Sequence, residues 1–157
     1  MRWQRQSLHP FVDLHLVTDD RFRDDSVPNT RWYGPLSNRA VTEDLLPGMD
    51  LLCHPTTRDC SAIVVAEAGV AGVPSITTNV GGIPELIEHG RTGYIFDRGD
   101  DASFIETIVG LARSPDLLGE MKARVRHKAQ TEFTAEAVFA SIVRQVHQSL
   151  TDSAEVP

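Results

Sequence analysis

The sequence predicts an α/β fold in which helices cover both faces of a mostly parallel sheet. Short apolar runs, typical of buried strands, alternate with longer segments of helical character. Several of the stretches between these runs have the length of the crossover helices that parallel strands require. The chain has 157 residues, enough for one compact domain that buries roughly two-thirds of its unfolded surface. Together these observations predict a doubly wound, Rossmann-like architecture.

Five short strands are predicted, each followed by turn residues or a proline. The first alternates apolar and polar residues up to an acidic turn, and the third is a mostly apolar run before Pro55. The predicted strands are Phe11–Thr18, Thr30–Tyr33, Met49–His54, Ser75–Thr78 and Tyr94–Phe96. Ligands of such sheets lie beyond the carboxyl ends of the strands, so the loops after the first, third and fourth strands are candidate binding loops.

Helices are predicted from caps, stops and length. Ser37 is the predicted N-cap of a helix that ends at Leu46, before Pro47-Gly48. The β-branched residues of Ser61–Ala71 favour a strand, but its length, its alanines and the glycine that follows favour a helix. The other predicted helices are Pro84–Glu88, Asp101–Ala112, Pro115–Glu132 and Ala135–Leu150. We expect one domain, residues 1–150, and a polar tail, residues 151–157.

Charge and hydropathy exclude several classes of partner. The chain has 15 Lys and Arg against 22 Asp and Glu, a net charge of −7. Such a surface repels a phosphate backbone, so we expect no nucleic-acid partner. No apolar run is long enough to cross a membrane, and the start MRWQRQSLHP lacks the apolar stretch of a secretory signal. The expected compartment is the cytoplasm.

Cysteines and histidines indicate no metal chemistry. Cys53 and Cys60 are predicted to be reduced thiols, because no further cysteine completes a disulfide framework or a zinc site. The six histidines show no metal-binding spacing, so no metal is predicted. His54, beside a candidate binding loop, is considered as a ligand contact. Asp19-Asp20 is considered as an acidic phosphoacceptor pocket, but no supporting lysine pattern accompanies it.

Glu67 fits its predicted surroundings least. On a helix its neighbours one turn away are all apolar, namely Ile63, Val64, Val70 and Ala71. An unpaired charge on a buried apolar face is strongly destabilising. Glu67 is therefore predicted either to have a structural partner or to bind a ligand, and the residues alone leave both open.

The start of the same helix is a candidate anion site. Backbone N–H groups of Ser61, Ala62 and Ile63, with the positive end of the helix dipole, would favour a phosphate. Asp59 precedes them, either as a simple N-cap or as an acceptor for sugar hydroxyls. A phosphate site flanked by carboxylates favours a nucleotide sugar over a free nucleotide.

Gly81-Gly82 lies in the next strand-to-helix loop. Adjacent glycines allow the backbone to approach a ligand closely or to take a positive φ, although most such pairs are only turns. The loop is neither a P-loop nor the GxGxxG dinucleotide fingerprint.

Four motifs follow one another in PTTRDCSAIVVAEAGVAGVPSITTNVGGIPELIEHGRTGYIF, residues 55–96. They are two acids separated by seven residues, small residues before a proline, GGxPE and GxxG. The residues concerned are Asp59 and Glu67, Ala71–Pro74, Gly81–Glu85 and Gly90–Gly93. In order and spacing they resemble the donor-binding domain of retaining GT-B glycosyltransferases of family 4, the glycogen-synthase-like and mannosyltransferase-like group. Weaker similarity extends over roughly residues 13–150.

The resemblance implies a role for each candidate residue. Glu67 would bind the ribose hydroxyls of a nucleotide, and Asp59 would contact the transferred sugar; these two are the expected catalytic carboxylates. The N–H groups of residues 61–63 would hold sugar and phosphate, while Gly81 and Gly82 shape the adjoining loop. The ligand would be a nucleotide-diphosphate sugar, with no metal and no other cofactor.

The resemblance also implies parts outside this sequence. The family's first acid is usually Glu and is here Asp59. Its Arg and Lys that clamp the diphosphate, and its acceptor-binding N-terminal domain, would precede Phe11. We therefore expect a chain that begins part-way through the donor domain and that is inactive in retaining transfer without its N-terminal domain. Arg58 and Arg91 are considered as substitutes for the clamp or as solvated surface charges.

Other functions stay open beside glycosyl transfer to an unknown acceptor, be it a sugar, a lipid-linked glycan or a small molecule. A non-catalytic module would use the same fold to bind a sugar nucleotide or a partner chain, because a truncated sheet leaves an apolar flank. A nucleotide-sugar epimerase of GT-B architecture would share the donor motif. Peripheral membrane attachment of a full-length enzyme is an alternative to a free cytoplasmic location.

Overall fold

The strands among the described residues are all parallel and form two sheets. A computed structural model describes residues 12–60 and 62–154. The first sheet pairs β1 (Leu14–Leu16) with β2 (Thr30–Trp32). The second has the order β3 (Leu52–His54), β4 (Ser75–Thr78) and β5 (Gly93–Phe96). Because β4 is the central strand, its carboxyl end lies between those of β3 and β5.

The division into two sheets differs from the single sheet that we predicted. β1 and β2 are three residues each, and no ladder joins them to β3 within the described residues. Val12, just before β1, packs against the same apolar cluster as Leu51 and Cys53. Side-chain packing therefore replaces backbone pairing at this point. The first strand is also shorter than predicted, and its predicted first residue, Phe11, lies outside the described residues.

The helices follow the predicted order. They are α1 (Ile63–Ala71), α2 (Ile83–Leu86), α3 (Asp101–Ala112), α4 (Pro115–Glu132) and α5 (Ala135–Ala154). Gly72 ends α1 in the left-handed region at φ +77°, which confirms both the helix and its predicted stop. α5 continues past the predicted end at residue 150, because no Gly or Pro interrupts it there. The first four residues of the predicted tail, 151–154, are therefore helical.

The helical segment before β3 has an unusual interior. Ser37 caps it as predicted, since its Oγ accepts a hydrogen bond from Ala40 N at 3.2 Å. A π-helix, Ala40–Leu45, follows and leads into a 3₁₀ turn, Leu46–Gly48. The predicted stop at Leu46 is therefore replaced by a tighter turn that includes Pro47-Gly48.

Helices cover both faces of the β3–β5 sheet, which confirms the predicted fold class. Ile76 of β4 faces one cluster, completed by Phe104, Ile108, Leu111 and Met121 of α3 and α4. Leu52 and Ile95 face the other, with Ala62, Val65, Ile83 and Ile87 from the region of α1 and α2. Because side chains alternate along a strand, neighbouring residues of one strand reach the two clusters. This packing fixes α1 and α2 beside the carboxyl ends of β3 and β4.

Candidate functional site

Asp59 lies in the loop between β3 and α1 and binds the backbone just before that helix. Its Oδ1 accepts a hydrogen bond from Ala62 N at 2.7 Å. Ala62 itself has φ +36°, a left-handed conformation at the turn into α1. Asp59 is therefore not the N-cap that the sequence allowed, because Ala62 holds that position and the Asp59 hydrogen bond goes to Ala62 itself. A carboxylate oxygen accepts more than one hydrogen bond, so this contact is compatible with a further hydroxyl donor.

His54, the last residue of β3, contacts the other oxygen of the same carboxylate. Its Nε2 lies 3.0 Å from Asp59 Oδ2, and both side chains are about one-quarter exposed. The His54 carbonyl accepts hydrogen bonds from Thr77 Oγ1 and Thr56 N, each at 2.9 Å. β3 and its neighbours therefore fix the backbone that carries this imidazole.

Gly81 and Gly82 pack directly against the Asp59 loop. Gly81 has φ +56°, and a Cβ there would lie 2.0 Å from the Asp59 carbonyl oxygen. Gly82 N donates to the Cys60 carbonyl at 3.2 Å. The loops after β3 and β4, separate in sequence, thus form one surface. The glycines are needed for this contact between loops. From the sequence, their role was open between a simple turn and the close approach of a ligand.

Glu67 lies on an open face of α1 and not on a buried one. Ile63 and Val70, one turn before and one after, are 66% and 65% exposed. The apolar neighbours of Glu67 therefore do not bury it, because α1 packs through its other side, including Val65 and Ala68. We call Ile63, Glu67 and Val70 the open face of α1.

Asn38 holds the Glu67 carboxylate and was missed by the sequence reasoning. Its Nδ2 donates to Glu67 Oε1 at 2.6 Å, across 29 residues of chain. Asn38 stands one residue after Ser37, at the start of the helical segment before β3. In this region the sequence predicted only the Ser37 cap, and no local pattern indicates a contact between Asn38 and α1.

The first turn of α1 keeps the geometry expected of an anion site, with one change. Ile63 begins the helix, and the first N–H groups of any helix have no partner within it. The Ala62 N–H, however, is engaged by Asp59. Ser61 lies outside the described residues. The predicted phosphate contacts of residues 61–63 stay predictions.

The two candidate substitutes for a diphosphate clamp differ. Arg91 pairs with Glu88 at 2.8 Å on the surface, which favours its interpretation as a surface charge. Arg58 is exposed beside the Asp59 loop, and Thr56 Oγ1 donates to its carbonyl at 3.1 Å. Of the two, Arg58 is the one that lies in the loop that carries Asp59.

The other sequence candidates lie in ordinary surroundings. Asp19 caps a 3₁₀ turn (Asp20–Phe22) and pairs with Arg21 at 2.8 Å, as a turn residue does. Within residues 12–60 and 62–154, no group of His, Cys, Asp or Glu is arranged to hold a metal ion. A cavity of about 270 Å³ lies away from the β3 and β4 loops, at the starts of β1 and β2; its lining residues are Asp13, Leu14, His15, Asn29, Thr30 and Arg31.

The two cysteines are free thiols in different environments. Cys53 packs against the core cluster, and burial raises the pKa of its thiol to about 12. Cys60 is exposed in the loop that contacts Gly82. Among the described helices, none has the length and apolar character to cross a bilayer.

A family profile described as "Glycosyl transferases group 1" matches residues 6–114, which is more than half of the chain. The chain therefore belongs to the glycosyl transferases group 1 family. It is 32% identical over 109 residues to N-acetyl-alpha-D-glucosaminyl L-malate synthase of Bacillus anthracis. That match covers 69% of this chain and 29% of the relative, so the chain spans less than a third of the relative's length.

Solved structures show the same fold. Sucrose-phosphate synthase from Thermosynechococcus elongatus matches with a TM-score of 0.72 at 18% identity, over 94% of this chain and 41% of the other. Anabaena HepE in complex with UDP-glucose matches with a TM-score of 0.65 at 19% identity, over 88% and 40%. The parallel α/β, Rossmann-like fold is thus similar to that of GT-B glycosyltransferases.

Proposed function

We propose that this chain is the donor-binding domain of a retaining, family 4 glycosyltransferase that transfers a hexosyl group from a nucleotide-diphosphate sugar. One observation carries the proposal. The loops after β3 and β4 contact each other through Gly81 and the Asp59 carbonyl, at the start of the helix that carries Glu67. The residues of the donor motif thereby meet at the carboxyl edge of the sheet, where this fold class binds ligands.

Glu67 is proposed to accept hydrogen bonds from the ribose hydroxyls. It is half-buried on the open face of α1, and Asn38 fixes one of its oxygens. A carboxylate with one oxygen held by a neutral donor keeps a defined orientation for a second set of donors. The exposed Ile63 and Val70 beside it provide apolar surface for the rest of a bulky ligand.

The diphosphate is proposed to lie at the first turn of α1, with Arg58 beside it. Backbone N–H groups and the helix dipole stabilise anions without a basic protein surface, which suits a chain of net charge −7. No metal is part of this proposal. Asp59 is proposed to face the transferred sugar, since sugar hydroxyls are donors and the carboxylate is an acceptor.

In the proposed reaction the acceptor hydroxyl attacks the anomeric carbon from the side of the leaving group. The bond between that carbon and the phosphate oxygen breaks, the new glycosidic bond forms on the same face, and the hydroxyl proton passes to the departing diphosphate. Stabilising the charge that develops on the diphosphate is the main contribution expected of this domain. Transfer itself is proposed to need a second, acceptor-binding domain, and the whole enzyme to be cytoplasmic or peripheral to a membrane.

A partner-binding role is favoured by one further surface. α5 exposes an apolar stripe at helical spacing, made of Val138, Phe139, Ile142 and Val143. Patches of this kind mark interaction surfaces. Donor binding and partner binding are compatible, and a non-catalytic module would bind a partner without catalysing transfer.

The donor site is tested by titrating the chain with UDP-glucose, GDP-mannose and ADP-glucose in a calorimeter. We expect one of them to bind, and Glu67→Gln to weaken that binding about 10- to 100-fold, the effect of losing hydrogen bonds to a charged acceptor. Glu106→Gln, on the exposed side of α3, is the matched control and should leave affinity unchanged.

Failure of all three sugars to bind at millimolar concentration would contradict the proposal. Glu67→Gln should also unfold at the same temperature as the unaltered chain. If it does not fold, Glu67 has the structural role that the sequence left open. In a full-length enzyme, release of free altered sugar without transfer would instead indicate the epimerase alternative.

A further inference from the structure

His54 lies outside the donor motif and contacts one of its carboxylates. It ends β3, and its Nε2 lies 3.0 Å from Asp59 Oδ2. A carboxylate only accepts hydrogen bonds, so Nε2 carries the proton in this contact. From this geometry we infer that His54 is a positioning residue for Asp59, which fixes that carboxylate for the sugar part of the donor. The inference rests on the proposed function.

The two oxygens of Asp59 are held from opposite directions. Oδ1 is held by the backbone N–H of Ala62, the residue before α1, and Oδ2 by His54 at the end of β3. Neither the hydrogen bond from Ala62 N alone nor the one from His54 alone would fix the plane of the carboxyl group. With both in place, rotation about the last side-chain bond of Asp59 breaks at least one hydrogen bond.

His54 is itself held by a rigid element. β3 pairs with β4, and Cys53 and His54 lie opposite Ile76 and Thr77. Thr77 Oγ1 adds a hydrogen bond to the His54 carbonyl. Thr77 is buried, so this support is shielded from solvent. Precise sites depend on groups held by such secondary contacts, because a loose carboxylate loses the orientation on which binding depends.

The effect is expected on the sugar and not on the nucleotide. Asp59 is proposed to face the transferred sugar, while Glu67, held by Asn38, is proposed to face the ribose. Loss of the His54 contact should therefore reduce the extra affinity that the sugar contributes. The affinity for the nucleoside diphosphate without its sugar should stay unchanged. A merely structural role of His54 would lower both together.

The test compares UDP with UDP-glucose, GDP with GDP-mannose, and ADP with ADP-glucose, by calorimetry on the whole chain. The side-chain amide nitrogen of Gln lies near the place of a histidine Nε2, whereas that of Asn lies near Nδ1. His54→Gln should therefore keep the ratio of sugar to nucleotide affinity, and His54→Asn should lower it about tenfold, the effect of one hydrogen bond to a charged group. His127→Asn, on the exposed side of α4, is the control.

A double-mutant cycle locates the effect at Asp59. If His54 acts through that carboxylate, His54→Asn should not change the ratio of sugar to nucleotide affinity any further in a chain that already carries Asp59→Asn. Should His54→Asn not fold, His54→Leu gives the same comparison with an apolar side chain of similar size.

Four results would overturn the inference. An unchanged ratio in His54→Asn, or a full effect of His54→Asn in the Asp59→Asn chain, would overturn it alone and leave the donor site standing. If the unaltered chain binds each nucleoside diphosphate and the corresponding nucleotide sugar with equal affinity, the inference is also overturned, and the donor site again stands. If the unaltered chain binds neither nucleotide nor sugar, the proposed function fails and the inference with it.

Discussion

Cys53 and Cys60 are seven positions apart, yet their thiols are in opposite environments. Cys53 belongs to β3 and packs against the core, where burial raises its pKa from 9.0 to about 12. Cys60 is exposed beside the loop of Gly82. The thiolate is the reactive form of cysteine, so the raised pKa of Cys53 and the exposure of Cys60 both favour reaction at Cys60.

We therefore expect a thiol reagent at pH 8 to modify Cys60 first in the folded chain. Cys53 should react about a thousandfold more slowly than it does after unfolding, because its thiolate fraction falls with the three-unit rise in pKa. Mass spectrometry after timed labelling measures both rates. Equal rates at the two cysteines would contradict the burial of Cys53.

The same pKa gives a pH dependence of stability. The unfolded Cys53 thiol loses its proton above about pH 9, while the folded one keeps it until about pH 12. Between these values the unfolded state binds fewer protons, so the free energy of unfolding should fall as the pH rises. Cys53→Ala should reduce this slope in urea titrations between pH 8.5 and 10.5, and an unchanged slope would count against the assigned pKa.

Single residues also show what sequence alone could predict. A backbone contact of Asp59 near the start of α1 could be predicted, because its hydrogen bond to Ala62 N spans only three residues. The Asn38 contact with Glu67 could not, since it joins two elements that are distant in the sequence. The exposure of the face that carries Glu67 could not be predicted either, because residue type does not tell which side of a helix packs.

Among the elements, the loops after β3 and β4 depend on one another. Gly81 lies against the Asp59 carbonyl, where a side chain has no space. Gly90 provides a comparison, because it has a similar left-handed φ of +77° with nothing within 4 Å of the place of its Cβ. Substituting each of these two glycines distinguishes the cost of backbone strain, which both share, from the cost of disrupting the contact between loops, which only Gly81 makes.

Gly90→Ala is expected to destabilise the fold by about 1–2 kcal/mol, the strain of a left-handed alanine. Gly81→Ala should lose about 1–3 kcal/mol more, because the new methyl forces the two loops apart. Urea unfolding of both variants measures the difference. Equal effects of the two substitutions would mean that the loops are not in contact in solution.

Element order was predictable because its signals are local. Caps, glycines and prolines mark the ends of α3, α4 and β4, whose predicted and observed bounds agree. The π-helix, Ala40–Leu45, has no such signal. The end of α5 was predicted too early, because a polar sequence without Gly or Pro can stay helical.

For the molecule as a whole, the fold class followed from the alternation of strands and helices, but the pairing of strands did not. Three-residue strands such as β1 and β2 carry too few residues to reveal whether they join β3. Which surfaces stay open also depends on the complete packing. The open face of α1 and the apolar stripe of α5 appear only once every helix has its neighbour.

The central claim is that the donor binds where the β3 and β4 loops meet the start of α1. Amide chemical shifts of the ¹⁵N-labelled chain, followed while UDP-glucose, GDP-mannose or ADP-glucose is added, test this most directly. The largest changes are predicted at Ile63, Glu67, Gly81 and Gly82. Changes centred instead on the cavity at the starts of β1 and β2, around His15 and Arg31, would contradict the account.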